Sequence, residues 1–332
     1  MIENKSIGII GDGSWATAVV KLLSNNNNNI NWYIREQAML DHMQKYSKNP
    51  TYLSSVKLDL NKISLYNDIK EVIKKSDILC FVIPSAFILR VLEGVDKNAF
   101  KDKLIVSLIK GIIPEKDLII SDYFKNIGFD LNNFAVVSGP CHAEEVALER
   151  LSYLTIGTNN TEFSEQISKL LSCRYIKTTL SDDIVGIEYA AILKNIMAVA
   201  AGICKSLGYG DNFQAVLIAN ALKEMTHFIN TMHPIKRDTD LSVYLGDLAV
   251  TIYSQFSRNR TFGVMIGKGY SVNSAQLEMK MIAEGYFAVK GIKNIIDDKN
   301  ITDMPITNAV YNILYENISP LIEINLLADK MS

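Results

Sequence analysis

Short β-branched runs alternate with helical patterns along the first half of the chain, and from Asp183 onward the alternation gives way to helical patterns alone. A parallel strand reaches its neighbour only through a long crossover, so this alternation predicts a doubly wound α/β sheet joined by helices. Strands are expected at residues 6–10, 30–34, 78–83, 104–107 and 134–138, with two more at 152–157 and 175–178. Helices are expected at 15–23, 68–75, 86–92 and 115–125. Beyond them, long helical patterns cover 184–207, 212–232, 246–256, 274–290 and 304–315, which reads as a separate all-helical domain. Ser181-Asp182-Asp183 supplies side-chain oxygens suited to cap the first of these helices, so the boundary is placed between a domain of residues 1–182 and one of residues 183–332. A length of 332 residues suits two domains.

Charge and cysteine usage narrow the function. There are 34 basic and 36 acidic side chains, a formal net charge of −2, and no basic block to neutralise a phosphate backbone, so nucleic acid is not an expected partner. Cys80, Cys141, Cys173 and Cys204 are scattered without a CxxC pair and read as reduced thiols of a cytoplasmic protein. No secretion signal is read at the N-terminus. The most apolar run, residues 190–204, is broken by Lys194 and Asn195 and is shorter than the roughly twenty residues that span a bilayer, so no membrane span is expected. His142, His227 and His233 lack metal-ligand spacing, and no metal is expected.

Gly11-Asp12-Gly13-Ser14-Trp15-Ala16 follows the first apolar run and opens a helical pattern, the context a dinucleotide-binding turn requires. Gly11 permits the tight turn, Gly13 removes a Cβ where a pyrophosphate approaches, and Ala16 lets helix and strand pack closely. The acid expected about twenty residues later, at the end of the second strand, is absent; Arg35 stands there, with Glu36 directed to the other side if the strand continues. An arginine at this place suits stacking on adenine or pairing with a 2′-phosphate, so NADPH is expected to be usable, and at least as well as NADH.

Lys194 sits in an otherwise apolar helix, with Ala190, Ala191, Met197 and Ala198 one turn away on either side. Desolvation there would lower an amine's pKa and suit it to exchange a proton with an alcohol, whereas the bland alternatives are a snorkelling or salt-bridged lysine. Asp247, at the start of a helical pattern after Gly246, reads most simply as an N-cap. Lys110 follows the strand at 104–107 and so lies at the carboxyl edge of the sheet, where ligands of such folds collect. Ser257-Arg258-Asn259-Arg260 offers donors for a phosphate, or else a solvated loop.

Taken together, Gly11–Ala16, the run Ser138-Gly139-Pro140-Cys141-His142-Ala143, Leu193-Lys194-Asn195 with Ala200-Ala201-Gly202, and Leu245-Gly246-Asp247-Leu248 with Ser257-Arg258-Asn259-Arg260 resemble the motifs of NAD(P)-dependent glycerol-3-phosphate dehydrogenase in order and spacing. The resemblance implies a Rossmann-like domain followed by a helical one, and reversible reduction of dihydroxyacetone phosphate to sn-glycerol 3-phosphate that feeds phospholipid synthesis in the cytoplasm. A small phosphorylated molecule is then the partner, and a homodimer is an assembly it allows. By the same resemblance, nucleotide contacts fall on Ser14, Trp15, Arg35, Lys110, Ala143, Arg258, Ile282 and Glu284. Substrate contacts fall on Lys110, Gly139, Cys141, Asp247, Ser257, Arg258 and Asn259, and the proton-transferring base on Lys194. Cys141 departs from the serine many members carry, and residues 231–242 depart from the usual run before Gly246-Asp247. A related 3-hydroxy acid dehydrogenase and a non-catalytic dinucleotide sensor are the competing readings; Lys194 argues against the sensor, since binding alone needs no ammonium inside an apolar helix.

Overall fold

The structure is a computed structural model and describes residues 5–26, 29–279 and 283–332. Among these residues eight strands form one sheet: β1 Ile7–Ile10, β2 Ile30–Tyr33, β3 Ile63–Tyr66, β4 Ile78–Phe81, β5 Leu104–Ser107, β6 Phe134–Ser138, β7 Ser152–Gly157 and β8 Ile176–Ser181. Their order is β3-β2-β1-β4-β5-β6-β7-β8. Neighbours run parallel except β6 and β7, which are antiparallel. The expected doubly wound sheet is therefore present. β1 and β4 are buried along their whole length, as central parallel strands covered on both faces must be. The direction of winding reverses between β1 and β4, which makes the end of β1 a topological switch point.

Two compact units emerge. One comprises Met1–Ile109 with Ile120–Ile184, and the other Lys110–Ile119 with Val185–Ser332. The segment Lys110–Ile119 thus leaves the sheet unit and packs within the helical one. The helix expected from residue 115 begins only at Ile120. Ahead of it the chain turns back on itself, with the Ile113 N–H donating to the Leu118 carbonyl at 2.9 Å. Asp117 occupies the left-handed region at φ 51°, which interrupts any helix there.

The helical unit is built around Ile184–Ser206, a 23-residue helix long and apolar enough to cross a membrane. Its most apolar window is 94% buried inside the protein, so this is the core helix of the unit. The helix Arg258–Gly267 crosses it closely. A Cβ on Gly202 would lie 2.1 Å from the Arg260 carbonyl oxygen, and one on Gly263 would lie 2.1 Å from that of Val199. Two helices expected in this unit differ, and one segment read otherwise is helical. The one at 274–290 is two, Val272–Glu278 and Glu284–Lys299, because Met279 and Ala283 adopt extended backbone. The one at 246–256 begins as a π turn over Ser242–Gly246 and continues as Asp247–Tyr253. The tetrapeptide from Ser257 is no loop: the Ser257 hydroxyl caps the helix Arg258–Gly267 by accepting the Arg260 N–H.

Candidate active site

In the sheet unit, the turn after β1 has the shape of a phosphate cradle. Gly11 has φ +131°, a conformation L side chains rarely adopt, and a Cβ there would meet the Val82 carbonyl oxygen at 2.2 Å. Nothing lies within 4 Å of a Cβ built on Gly13, so the approach to the helix Ser14–Leu23 is open at that point. Gly13 caps this helix without a side-chain hydrogen bond, which leaves first-turn N–H groups directed at the opening. Ala16 is fully buried, as close packing on the strand requires. The turn is pinned from three sides. The Trp32 indole donates to the Gly11 carbonyl at 2.6 Å, the buried Asn49 amide donates to the Asp12 carbonyl at 3.0 Å, and the Thr17 hydroxyl donates to the Gly13 carbonyl at 2.9 Å. The Trp15 indole nitrogen is buried without a hydrogen-bond partner among the described residues. An orphaned donor beside a rigid, open glycine turn fits a nucleotide.

Arg35 lies past the end of β2, and Glu36 is the N-cap position of the helix Gln37–Tyr46. Strand alternation therefore does not separate the two residues, contrary to expectation, and the Arg35 guanidinium pairs with the Glu36 carboxylate at 2.9 Å. Ala143 opens the helix Ala143–Ala147 and is buried. Gly139 follows β6 at φ +139°, and the Cys141 thiol donates to its carbonyl at 3.1 Å.

In the helical unit a second constellation forms around one carboxylate. Asp247 is 1% exposed and is the first residue of its helix rather than its cap. Its Oδ1 lies 2.6 Å from Lys194 Nζ, and its Oδ2 lies 3.2 Å from Lys110 Nζ. The N-cap reading fails because the π turn lets Gly246 take the cap position and carries the Asp247 side chain to the two ammonium groups. Burial alone would raise the Asp247 pKa; the charges of Lys110 and Lys194 and the bonds from them outweigh it and hold the carboxyl below its ordinary value. Lys194 is 5% exposed, which removes the snorkelling alternative. Its Nζ also donates to the Thr251 hydroxyl at 3.1 Å, and that hydroxyl donates to the Asp247 carbonyl at 2.6 Å. Two ammonium groups on one carboxylate leave a net charge of +1 in a poorly hydrated place, which suits a developing oxyanion.

A chain of amides fixes this constellation. The Gly285 N–H donates to Asn259 Oδ1 at 2.9 Å, Asn259 Nδ2 donates to Asn195 Oδ1 at 2.8 Å, and Asn195 Nδ2 donates to the Lys110 carbonyl at 2.8 Å. Ser257 and Asn259 are buried and Arg258 is half-buried at the start of its helix. Glu284 opens the helix Glu284–Lys299. Ile282 lies outside the described residues. Sequence reasoning missed Thr251 and gave Asn195 no role. Thr251 stands one helical turn beyond Asp247, and Asn195 is the other polar residue within the apolar run, so both carried a signal. Lys110, Asp247, Ser257, Arg258, Asn259 and Lys194 share the helical unit, whereas Gly139 and Cys141 belong to the sheet unit.

The family described as NAD-dependent glycerol-3-phosphate dehydrogenase N-terminus matches residues 6–164, and the corresponding C-terminus matches residues 183–325. The chain belongs to the NAD-dependent glycerol-3-phosphate dehydrogenase family. It is 34% identical over 317 residues to the glycerol-3-phosphate dehydrogenase (NAD(P)+) of Syntrophotalea carbinolica, covering 95% of each chain. It is 33% identical over 327 residues to the protein of the same name from Staphylococcus aureus, covering 94% of each. Among solved structures, the glycerol-3-phosphate dehydrogenase of Coxiella burnetii matches with a TM-score of 0.89 at 28% identity, over 98% of both chains. A ketopantoate reductase from Ralstonia eutropha shares the fold at a TM-score of 0.62 and 15% identity. For this dehydrogenase family member, the buried Lys194 and the glycine turn thus stand in a chain that matches the family along nearly its full length.

Proposed function

We propose that the protein reversibly reduces dihydroxyacetone phosphate to sn-glycerol 3-phosphate with NADH or NADPH, and that Lys194 exchanges the alcohol proton. The observation that carries this reading is the buried Lys194 ammonium, held at 2.6 Å by Asp247. The reduced nicotinamide, when bound, supplies a hydride to the substrate carbonyl carbon. As that carbon is reduced, negative charge grows on its oxygen, and the Lys194 Nζ–H is the donor that neutralises it. Asp247 fixes the direction of the Lys194 side chain, and Thr251 holds it from a second side. Lys110 adds a second positive charge toward the substrate. Arg258 and Asn259 bind the substrate phosphate, since charge-assisted donors are what an anion needs when it leaves water. Gly11, Gly13 and the first turn of the helix Ser14–Leu23 hold the pyrophosphate of the nucleotide. Gly139, Cys141, Ser257, Ala143, Ile282 and Glu284 complete the substrate and nucleotide contacts that the family resemblance assigns. The domains of this reading are residues 1–182 and 183–332. Free thiols at Cys80, Cys141, Cys173 and Cys204 support a cytoplasmic location, where the product is a precursor for phospholipids.

Purified protein should oxidise NADH with dihydroxyacetone phosphate and ignore a panel of keto acids. Turnover of the keto acids alone would favour the 3-hydroxy acid reading, and no turnover with intact nucleotide binding would favour the sensor. Arg258→Ala should raise KM for the phosphorylated substrate sharply while sparing glyceraldehyde-like substrates without phosphate. Equal losses on both would remove the phosphate role from Arg258.

A further inference from the structure

The second strand lacks the acid that selects between the two nicotinamide cofactors, and the structure supplies one from elsewhere. Asp12, the middle residue of the Gly11-Asp12-Gly13 turn, reaches the end of β2: its Oδ2 accepts the Arg35 backbone N–H at 3.2 Å. The placement is built in, because the buried Asn49 holds the Asp12 carbonyl and Trp32 holds that of Gly11. No hydrogen bond engages Asp12 Oδ1 among the described residues. The adenosine ribose of a dinucleotide sits at the end of this strand, where a carboxylate accepts the 2′-hydroxyl and repels a 2′-phosphate. Arg35 is a cation at this corner that could welcome the phosphate, and Glu36 engages its guanidinium at 2.9 Å. Asp12 and Glu36 therefore set two carboxylates beside the Arg35 guanidinium, and Asp68 acts with them on the Tyr33 side of the corner.

We propose that Asp12 is the specificity-determining acid of the cofactor site: it takes over the role left open by Arg35, accepts the ribose 2′-hydroxyl through Oδ1 and disfavours NADPH relative to NADH. Arg35 alone offers room for a 2′-phosphate, and NADPH is still turned over. Asp12 and Glu36 set its handicap. The inference rests on the dinucleotide reading of the glycine turn.

Calorimetric Kd values for NAD+ and NADP+ test it directly, beside kcat/KM for NADH and NADPH. The wild type should prefer NAD+, and Asp12→Asn should shift the affinity ratio toward NADP+ by about ten-fold, the scale of removing one partly shielded like charge from a phosphate. Asparagine retains an oxygen for the Arg35 N–H, so the turn keeps its backbone tie while losing the charge. Glu36→Gln, outside the turn, should shift the ratio the same way by a smaller factor. A ratio unchanged within about two-fold in folded Asp12→Asn would overturn the assignment. If the wild type prefers NADP+, the assignment fails while the dinucleotide reading stands; if neither nucleotide binds, both fail.

Discussion

Asp247 and Glu224 are both buried carboxyl groups of the helical unit, 1% and 3% exposed, yet their surroundings pull their protons in opposite directions. Around Asp247 burial is overcome by two ammonium groups, and the carboxyl is held below its ordinary value. Around Glu224 burial dominates and pushes the pKa up to about 7, although the Thr307 hydroxyl and the N–H groups of Ile306 and Thr307 pull it back. Those donors lie at 2.6, 2.7 and 2.8 Å and belong to the first turn of the helix Pro305–Leu314, which Glu224 caps from another helix. Dipoles offset part of a carboxylate's desolvation, and full charges at hydrogen-bond distance offset more. The capping site needs only an acceptor. Under the proposed function the lysine site needs a fixed charge, because it must hold an ammonium that gives and regains a proton.

The sharpest break of this contrast is Lys194→Met, which leaves Asp247 with Lys110 alone. With the proposed proton donor gone, kcat should fall by about 10²- to 10⁴-fold. Nucleotide affinity should stay near that of the wild type, since the glycine turn is in the other unit. Near-full kcat would show that Lys194 is not the acid. Next in size is Asp247→Asn, which keeps the shape and leaves two ammonium groups facing a neutral amide. Breaking a buried pair costs about 3–5 kcal/mol, to be read from the shift of the urea midpoint. A loss below about 1 kcal/mol would mean that water screens the pair as it does an exposed one.

The same contrast explains what the sequence could show. The glycine turn was legible because the backbone itself demands those residues. Lys194 was legible because its helical neighbours are apolar. Asp247 locally looks like a cap, and its true partners lie 53 and 137 residues away in the chain, so only tertiary structure could pair them. Lys110 seemed to belong with the sheet by chain position, yet its segment packs in the helical unit. β3 escaped notice because it is a four-residue edge strand with Ser64 exposed and Leu65 and Tyr66 half-buried. The helix Arg258–Gly267 was masked by its polar start, and the glycines that let it approach Ile184–Ser206 read locally as helix breakers.

The pH dependence of stability separates the two carboxyls by sign. Glu224 has a folded-state value near 7 against an ordinary 4.5, so between these the unfolded chain releases its proton while the folded chain keeps it. Wild-type stability should therefore decline as pH rises from 4.5 to 7, by roughly 3 kcal/mol from this group, and the slope should vanish in Glu224→Gln. Asp247 acts the other way. Its stabilisation is complete above the ordinary value of 3.8 and fades as pH falls through its depressed folded value. Unfolding free energies of both proteins across this range check it, and a wild type that gains stability from pH 4.5 to 7 relative to Glu224→Gln would reverse the assignment.

The smallest expected effect is Glu224→Gln measured at pH 5, where the wild-type carboxyl is still protonated in the folded state. Glutamine then differs little in charge or size, but its amide offers one strong acceptor oxygen where Ile306, Thr307 N–H and the Thr307 hydroxyl all point. One donor loses its partner, which costs about 1–2 kcal/mol. Catalysis should not notice. The Asp247 site is held by its own lysines, Thr251 and the Asn195–Asn259 chain, none of which bonds to Glu224. Sites without shared partners behave additively, so kcat should stay within about two-fold, and Lys194→Met should cost the same factor with or without Glu224→Gln. A kcat loss near ten-fold, or a clear departure from additivity in the double variant, would show that the helix Pro305–Leu314 transmits its cap to the lysine site and that the two carboxyls work as one system.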